Sequence, residues 1–133
     1  MKTVKNILQN KPIAIYSVTP STSVLDALQV MMDKNISALL IIEDSELKGI
    51  FTERDYARKI ILQGKSSRET LVEEVMTPEL AIINLSSTVD ECMQIMTKKH
   101  IRHLPIVEDG KVAGMISIGD LVKFVIEESE TDD

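Results

Sequence analysis

Two short strings in this chain carry the residue types that recognition chemistry needs. One is Gly49-Ile50-Phe51-Thr52-Glu53-Arg54-Asp55 and the other is Gly114-Met115-Ile116-Ser117-Ile118-Gly119-Asp120. In each, a hydroxyl is followed three residues later by a carboxylate, where an apolar run gives way to helical spacing. One reading is structural: Ser/Thr-x-x-Asp is a capping-box arrangement that starts a helix. The other is recognition. A helix start exposes unpaired N–H groups and the positive end of the helix dipole, which suits phosphate. A hydroxyl can donate to a phosphate or sugar oxygen, and an acceptor-only carboxylate suits the paired hydroxyls of a ribose. The glycine three residues before the hydroxyl leaves room for a flat ring against a strand. Hydroxyl, carboxylate and glycine together would cradle a nucleotide. The two readings are compatible, and both stay open. The strings differ in their middle residues. Arg54, with Arg58 one turn later, offers planar forks of donors for phosphate oxygens in the first string only.

Other chemistry finds less support. His100 and His103 follow Cys92, but no second cysteine or carboxylate cluster completes a zinc-ligand spacing. There is no P-loop and no Gly-x-Gly-x-x-Gly string. No hydroxyl or thiol has a base placed beside it in sequence for nucleophilic catalysis. The expectation is a protein that is not an enzyme, needs no metal, and has no catalytic residues.

The elements that position the two strings are themselves duplicated. A shift of 65 positions aligns Val18–Ala57 with the second half without a gap. Val24 meets Val89, Gln29 meets Gln94, Met31 meets Met96, Leu39 meets Leu104, Gly49 meets Gly114 and Asp55 meets Asp120. A weaker echo precedes it: Val4, Ile7 and Leu8 resemble Val72, Val75 and Met76. Each copy reads as β-α-β-β-α. Short apolar strands at Ala14–Val18 and Leu80–Ile83 come first. Helices follow, marked by Val24, Ala27, Leu28 and Met31 and by Val89, Cys92, Met93 and Met96. Thr88 and Glu91 form a capping box at the start of the second of these helices. Two hairpins turn at Glu43-Asp44-Ser45 and Glu108-Asp109-Gly110, and closing helices span Glu53–Leu62 and Gly119–Glu128. The division expected is repeat one over residues 1–62, a linker over 63–69, repeat two over 70–128, and a frayed acidic tail over 129–133. A single repeat is too small to bury its sheet, so the two are expected to share a core.

Composition bounds the partners. The chain has 133 residues, 44% hydrophobic and 27% charged, with a formal net charge of −6. That charge opposes nucleic acid and anionic membranes, because the basic residues are scattered. Aromatics at 3% leave little to stack single-stranded bases upon. No apolar run is long enough to span a bilayer, no signal peptide is seen, and the single cysteine excludes an internal disulfide. A cytoplasmic location is the expectation.

The order of these marks, repeated twice, resembles the CBS domain, and the pair resembles a Bateman module. The resemblance rests on Val-x-x-Ala-Leu-x-x-Met at Val24–Met31, on Arg-His-Leu-Pro-Ile-Val at Arg102–Val107, and on the two Gly-x-x-Ser/Thr-x-x-Asp strings. It implies an α/β fold of two pseudo-twofold-related repeats packed sheet to sheet. It implies a regulatory module binding an adenine nucleotide: AMP first, with ATP or NAD(H) as alternatives. In the family one site would join Ile50, Thr52 and Asp55 to main chain at Leu80 and Ala81. The other would join Met115, Ser117 and Asp120 to Ile15 and Tyr16. Ile36-Ser37-Ala38 and Ile101-Arg102-His103 match the family's phosphate-facing stretch. The first repeat has Leu39-Leu40 where the second has Leu104-Pro105, a difference expected to alter the backbone path at Ser37. Thr-Glu-Arg-Asp-Tyr-x-Arg with a Gly-Lys-Ser-Ser linker resembles small stand-alone bacterial pairs associated with AMP and NAD(H). Homodimerisation and action in trans on a separate protein are also implied. The alternative is a structural interaction module with no ligand.

Overall fold

The computed structural model describes residues 1–10, 14–78 and 81–131. These fall into two compact units. The first unit is Tyr16–Leu80; the second joins Met1–Ile15 to Ala81–Asp133.

In the first unit, β1 (Ser17–Val18) leads to α2 (Val24–Lys34), then to the hairpin β2 (Ala38–Glu43) and β3 (Glu46–Thr52). Helix α3 (Glu53–Tyr56) follows and runs on as a π-helical turn over Ala57–Ile61, and α4 spans Val72–Val75. The sheet order is β1-β2-β3, with β1 parallel and β3 antiparallel to β2. Ser23 caps α2 by accepting from the Asp26 N–H at 3.0 Å, and Asn35 ends it in the left-handed region. Val24, Ala27 and Met31, one stripe at helical spacing, bury against Leu39, Ile41 and Phe51. The hairpin turns through Asp44 and Ser45, both at positive φ (53° and 67°), as a two-residue loop matching the strand twist requires.

The second unit begins with α1 (Val4–Asn10). It continues through α5 (Val89–Lys99), the hairpin β4 (His103–Glu108) and β5 (Lys111–Ser117), and α6 (Ile118–Thr131). Its core gathers Val4 and Ile7 with Cys92, Met96, Leu104, Ile106, Ile116 and Leu121. The hairpin turns through Asp109 and Gly110, again both at positive φ. Each hairpin carries a bulge at the same place, Ile41/Ile42 and Ile106/Val107. Thr88 caps α5 by accepting from the Glu91 N–H at 3.0 Å, the Thr88 half of the expected box.

Two sequence expectations change, on the tail and at Ser37, and one feature adds to them: each compact unit holds the leading helix of the other repeat. Helix α1 packs into the core that holds α5, and α4 packs into the core that holds α2. Paired main-chain bonds fix each exchange: Val4 N–H to Ser87 O and Val89 N–H to Lys2 O; Val24 N–H to Thr70 O and Val72 N–H to Thr22 O. Residues 129–131 of the expected tail belong to α6, whose Glu128 pairs with Lys2 at 3.3 Å. Leucine in place of proline does not redirect the backbone at Ser37. Ala38 lies opposite Thr52 as His103 lies opposite Ser117, and Glu53 donates to Ser37 O as Ile118 donates to Arg102 O. The difference falls on the first strand instead. Leu40 donates its N–H to Tyr16 O at 3.3 Å, a bond Pro105 cannot make. Accordingly β1 forms two pairs with β2, while among the described residues Ile83 makes a single bridge to Ile106.

Candidate functional site

Both hydroxyl–carboxylate strings sit where the sequence puts them, at a strand-to-helix junction. In the first unit Thr52 closes β3 in extended conformation and caps α3. Its Oγ1 accepts from the Asp55 N–H at 3.2 Å. Asp55 Oδ2 accepts in return from the Thr52 N–H at 2.9 Å and from Thr52 Oγ1 at 3.0 Å. The structural reading is therefore correct here: this is a capping box. More holds Asp55 than the cap. Its Oδ1 accepts from Thr77 Oγ1 at 3.0 Å and pairs with Lys59 Nζ at 3.0 Å. Lys59, in the π-helical turn, also donates to Val75 O at 2.9 Å. The aspartate is only 6% exposed, and this network is what makes its burial tolerable.

In the second unit Ser117 Oγ accepts from the Asp120 N–H at 3.1 Å, and Asp120 Oδ2 accepts from the Ser117 N–H at 2.9 Å. Both residues are half-buried. The residue four beyond Asp120 is Phe124, whose side chain joins the core. The shift that aligns the repeats pairs Lys59 with Phe124, so this contrast was present in the sequence. Thr77 was not legible: it reaches Asp55 from 22 residues away.

The glycine reading needs correction in the first unit. A Cβ on Gly49 would lie 2.8 Å from Met76 Sδ and 2.9 Å from Thr77 O. The space beside that glycine admits protein chain, not a flat ring. Ile50 is engaged in the same way: its N–H donates to Thr77 O and its C=O accepts from the Thr77 N–H.

Around each junction the structure gathers part of the expected set. Ile36 and Ser37 are half-buried and Ala38 is buried beside Thr52 in the first unit. In the second, Ile101 and His103 are half-buried and Arg102 is exposed, with His103 opposite Ser117. Met115 is half-buried on β5. Tyr16 belongs to the first unit and is half-buried, with Lys34 Nζ 5.6 Å from its ring centre. Ile15 is exposed and Ala81 half-buried, both in the second unit. Leu80 lies outside the described residues. Arg54 and Arg58 are exposed.

Among the described residues no group of three or more His, Cys, Asp or Glu is placed to hold a metal ion. His100 serves as the left-handed C-cap of α5, its N–H donating to Met96 O. Cys92 is wholly buried, and desolvation pushes its thiol up to about 11. No helix among the described residues is long and apolar enough to cross a membrane.

The duplicated junction, with its strand, hairpin and helices, matches a known family twice over. The family model described as CBS domain matches residues 4–62 and again residues 72–127. The chain belongs to the CBS domain family. It is a tandem CBS pair, the arrangement of a Bateman module. The CBS domain-containing mitochondrial protein CBSX3 of Arabidopsis thaliana is 44% identical over 115 residues, covering 83% of this chain and 56% of that protein. This chain thus spans about half the length of that relative. The crystal structure of the CBS domain NE2398 superposes with a TM-score of 0.90 at 46% identity, covering 94% of this chain and 98% of that one. A crystal structure of CBSX2 in complex with AMP superposes with a TM-score of 0.80 at 25% identity, covering 97% of this chain and 99% of that one. The repeats of this CBS pair are therefore built as its relatives' are, and the α/β reading holds.

Proposed function

We propose that this CBS pair binds an adenine nucleotide and reports its occupancy to a separate partner protein, without catalysis of its own. The observation that supports this most is the hydroxyl–carboxylate junction built into both units at one register position. Each lies beside the stretch that the family turns toward phosphate. CBSX2, of the same fold, holds AMP. Asp120 and Asp55 are the candidate acceptors for ribose hydroxyls, Ser117 and Thr52 the candidate hydroxyl donors, and His103, Arg102 and Arg54 the candidate phosphate contacts. AMP is the first choice of ligand, followed by ATP and NAD(H). The signal is a shift in the population of the pair's conformations, read by a partner whose affinity differs between them.

Thermal denaturation with AMP, ADP, ATP, NAD, NADH and S-adenosylmethionine tests the reading. A ligand at a hundred times its Kd stabilises by about 2.7 kcal/mol, which raises Tm by several degrees. No shift with any of the six at millimolar concentration would leave the alternative, an interaction module that carries no nucleotide.

A further inference from the structure

We infer that Met76-Thr77 is a latch over the Thr52–Asp55 junction: Thr77 holds an acceptor place on Asp55, and a ribose hydroxyl binds there by expelling it. The inference rests on the nucleotide-binding reading above and adds the step by which occupancy is reported.

The acceptor capacity of Asp55 comes first. An ionised carboxylate offers about four lone-pair sites. Four protein donors reach them: Thr52 N–H and Thr52 Oγ1 on Oδ2, Lys59 Nζ and Thr77 Oγ1 on Oδ1. A ribose hydroxyl therefore enters only in exchange for one of these. They are not equally replaceable. The two from Thr52 complete the cap of α3. Lys59 brings the charge that offsets the carboxylate, and a second bond at 2.9 Å ties it to Val75 O. Thr77 brings a neutral aliphatic hydroxyl, the same group a ribose carries. Exchanging one for the other leaves the charge and the number of donors on Asp55 unchanged.

Thr77 is also placed to leave. Helix α4 before it is anchored by Val72 and Val75, both wholly buried. The chain turns from helical to extended at Met76 (ψ 162°), and Met76 and Thr77 are only half-buried. The main chain there is held by an isolated bridge: Thr77 N–H to Ile50 O and Ile50 N–H to Thr77 O. A bridge outside a ladder opens locally, without unfolding the sheet. Gly49 supplies the seat, since a Cβ on it would lie 2.8 Å from Met76 Sδ and 2.9 Å from Thr77 O. One outward movement of Met76-Thr77 thus uncovers three things together: the Oδ1 acceptor, the main-chain edge of Ile50 and the space over Gly49. These are the places for sugar and ring that the string Gly49–Asp55 offers. Binding is thereby converted into displacement of a surface segment, which a partner can read.

A site that must open before it binds has its affinity reduced by the fraction that is open. Thr77→Val keeps the shape and removes the hydroxyl, so it raises that fraction. Calorimetric titration of the full chain with AMP, and in parallel with ATP and NADH, is expected to show binding about two- to tenfold tighter in Thr77→Val than in the parent, the worth of one hydrogen bond. Thr77→Ser, which restores the hydroxyl, returns toward the parent value. Amide hydrogen exchange on the parent gives a second readout that needs no variant: saturating AMP speeds exchange at the Ile50 and Thr77 amides. Equal or weaker affinity in Thr77→Val, or exchange at those amides that is unchanged or slowed by AMP, overturns the latch and leaves the nucleotide reading standing. Absence of binding by parent and variant with all three ligands removes both.

Discussion

Replacing Asp55 by alanine isolates how much one buried carboxylate does for its unit. Truncation removes the two bonds from Thr52 that complete the capping box, at about 1 kcal/mol for a cap. It removes the bond from Thr77 Oγ1, worth about 1–1.5 kcal/mol, the upper part of the usual net range for one hydrogen bond. It also strips Lys59 of its counter-ion; that side chain is 36% exposed, so solvent screens the pair and about 0.5–1 kcal/mol is a fair allowance. The sum is about 3 kcal/mol. Over 133 residues, an unfolding entropy of about 2.1 cal/mol/K per residue converts this to a fall in Tm of roughly 10 °C. Urea denaturation, with the m-value held as a control, measures the free energy directly. Thr77→Val alone should cost about 1 kcal/mol, and the Asp55→Ala/Thr77→Val cycle should show a coupling of similar size. A cost below 1 kcal/mol for Asp55→Ala, or strict additivity with Thr77→Val, would show that the network is not what holds the junction closed.

Other outcomes follow from separate features. Gly49→Ala should cost about 1–3 kcal/mol in urea midpoint measurements, since its Cβ would sit under 3 Å from Met76 Sδ and Thr77 O; a neutral result would mean Met76 moves aside. Val122, Val125 and Ile126 leave α6 with an apolar face at 44%, 43% and 53% exposure, and light scattering is expected to show a homodimer that Val125→Lys with Ile126→Lys reduces to monomer; a parent monomer of 14.9 kDa at micromolar concentration would refute it. Cys92 keeps its proton in the folded state up to about 11, against an ordinary value of 9.0, so native protein should resist thiol reagents at pH 8. The sign is that of a raised pKa: the associated stability, up to about 2.7 kcal/mol, is complete below pH 9 and is lost as pH rises through 11, which denaturant titration across that range would read.

The sequence carried the repeats, because apolar residues at period 3.6 and paired hairpin signals survive a shift of 65 positions. It carried the hydroxyl–carboxylate junctions for the same reason: a capping box is local, four residues long, and needs no tertiary partner to be recognised. What it hid is non-local. Thr77 meets Asp55 across a loop, and no spacing rule connects them. Gly49 is hidden for that reason too: the glycine signals close approach, but the approaching group is Met76-Thr77. The π-helical turn at Ala57–Ile61 interrupts a segment whose pattern reads as plain helix. The weak echo at a different offset says that a leading helix exists, not which core receives it. The contrast between Lys59 and Phe124 could have been found from alignment of the repeats alone.

The exchange of leading helices also sets an order of events during synthesis. Helix α1 leaves the ribosome ahead of the rest of the pair, yet its Val4 and Ile7 belong with side chains as distant as Leu121 and Phe124. At roughly 5–20 residues per second, that wait is on the order of ten seconds. The first unit faces a shorter one, needing only the arrival of Val72 and Val75. The pair thus closes its middle unit first, and for several seconds Val4 and Ile7 have no core to join. A ribosome-bound chaperone would meet a chain stalled near residue 80 in that state: one unit closed, and the α1 segment still waiting for α6.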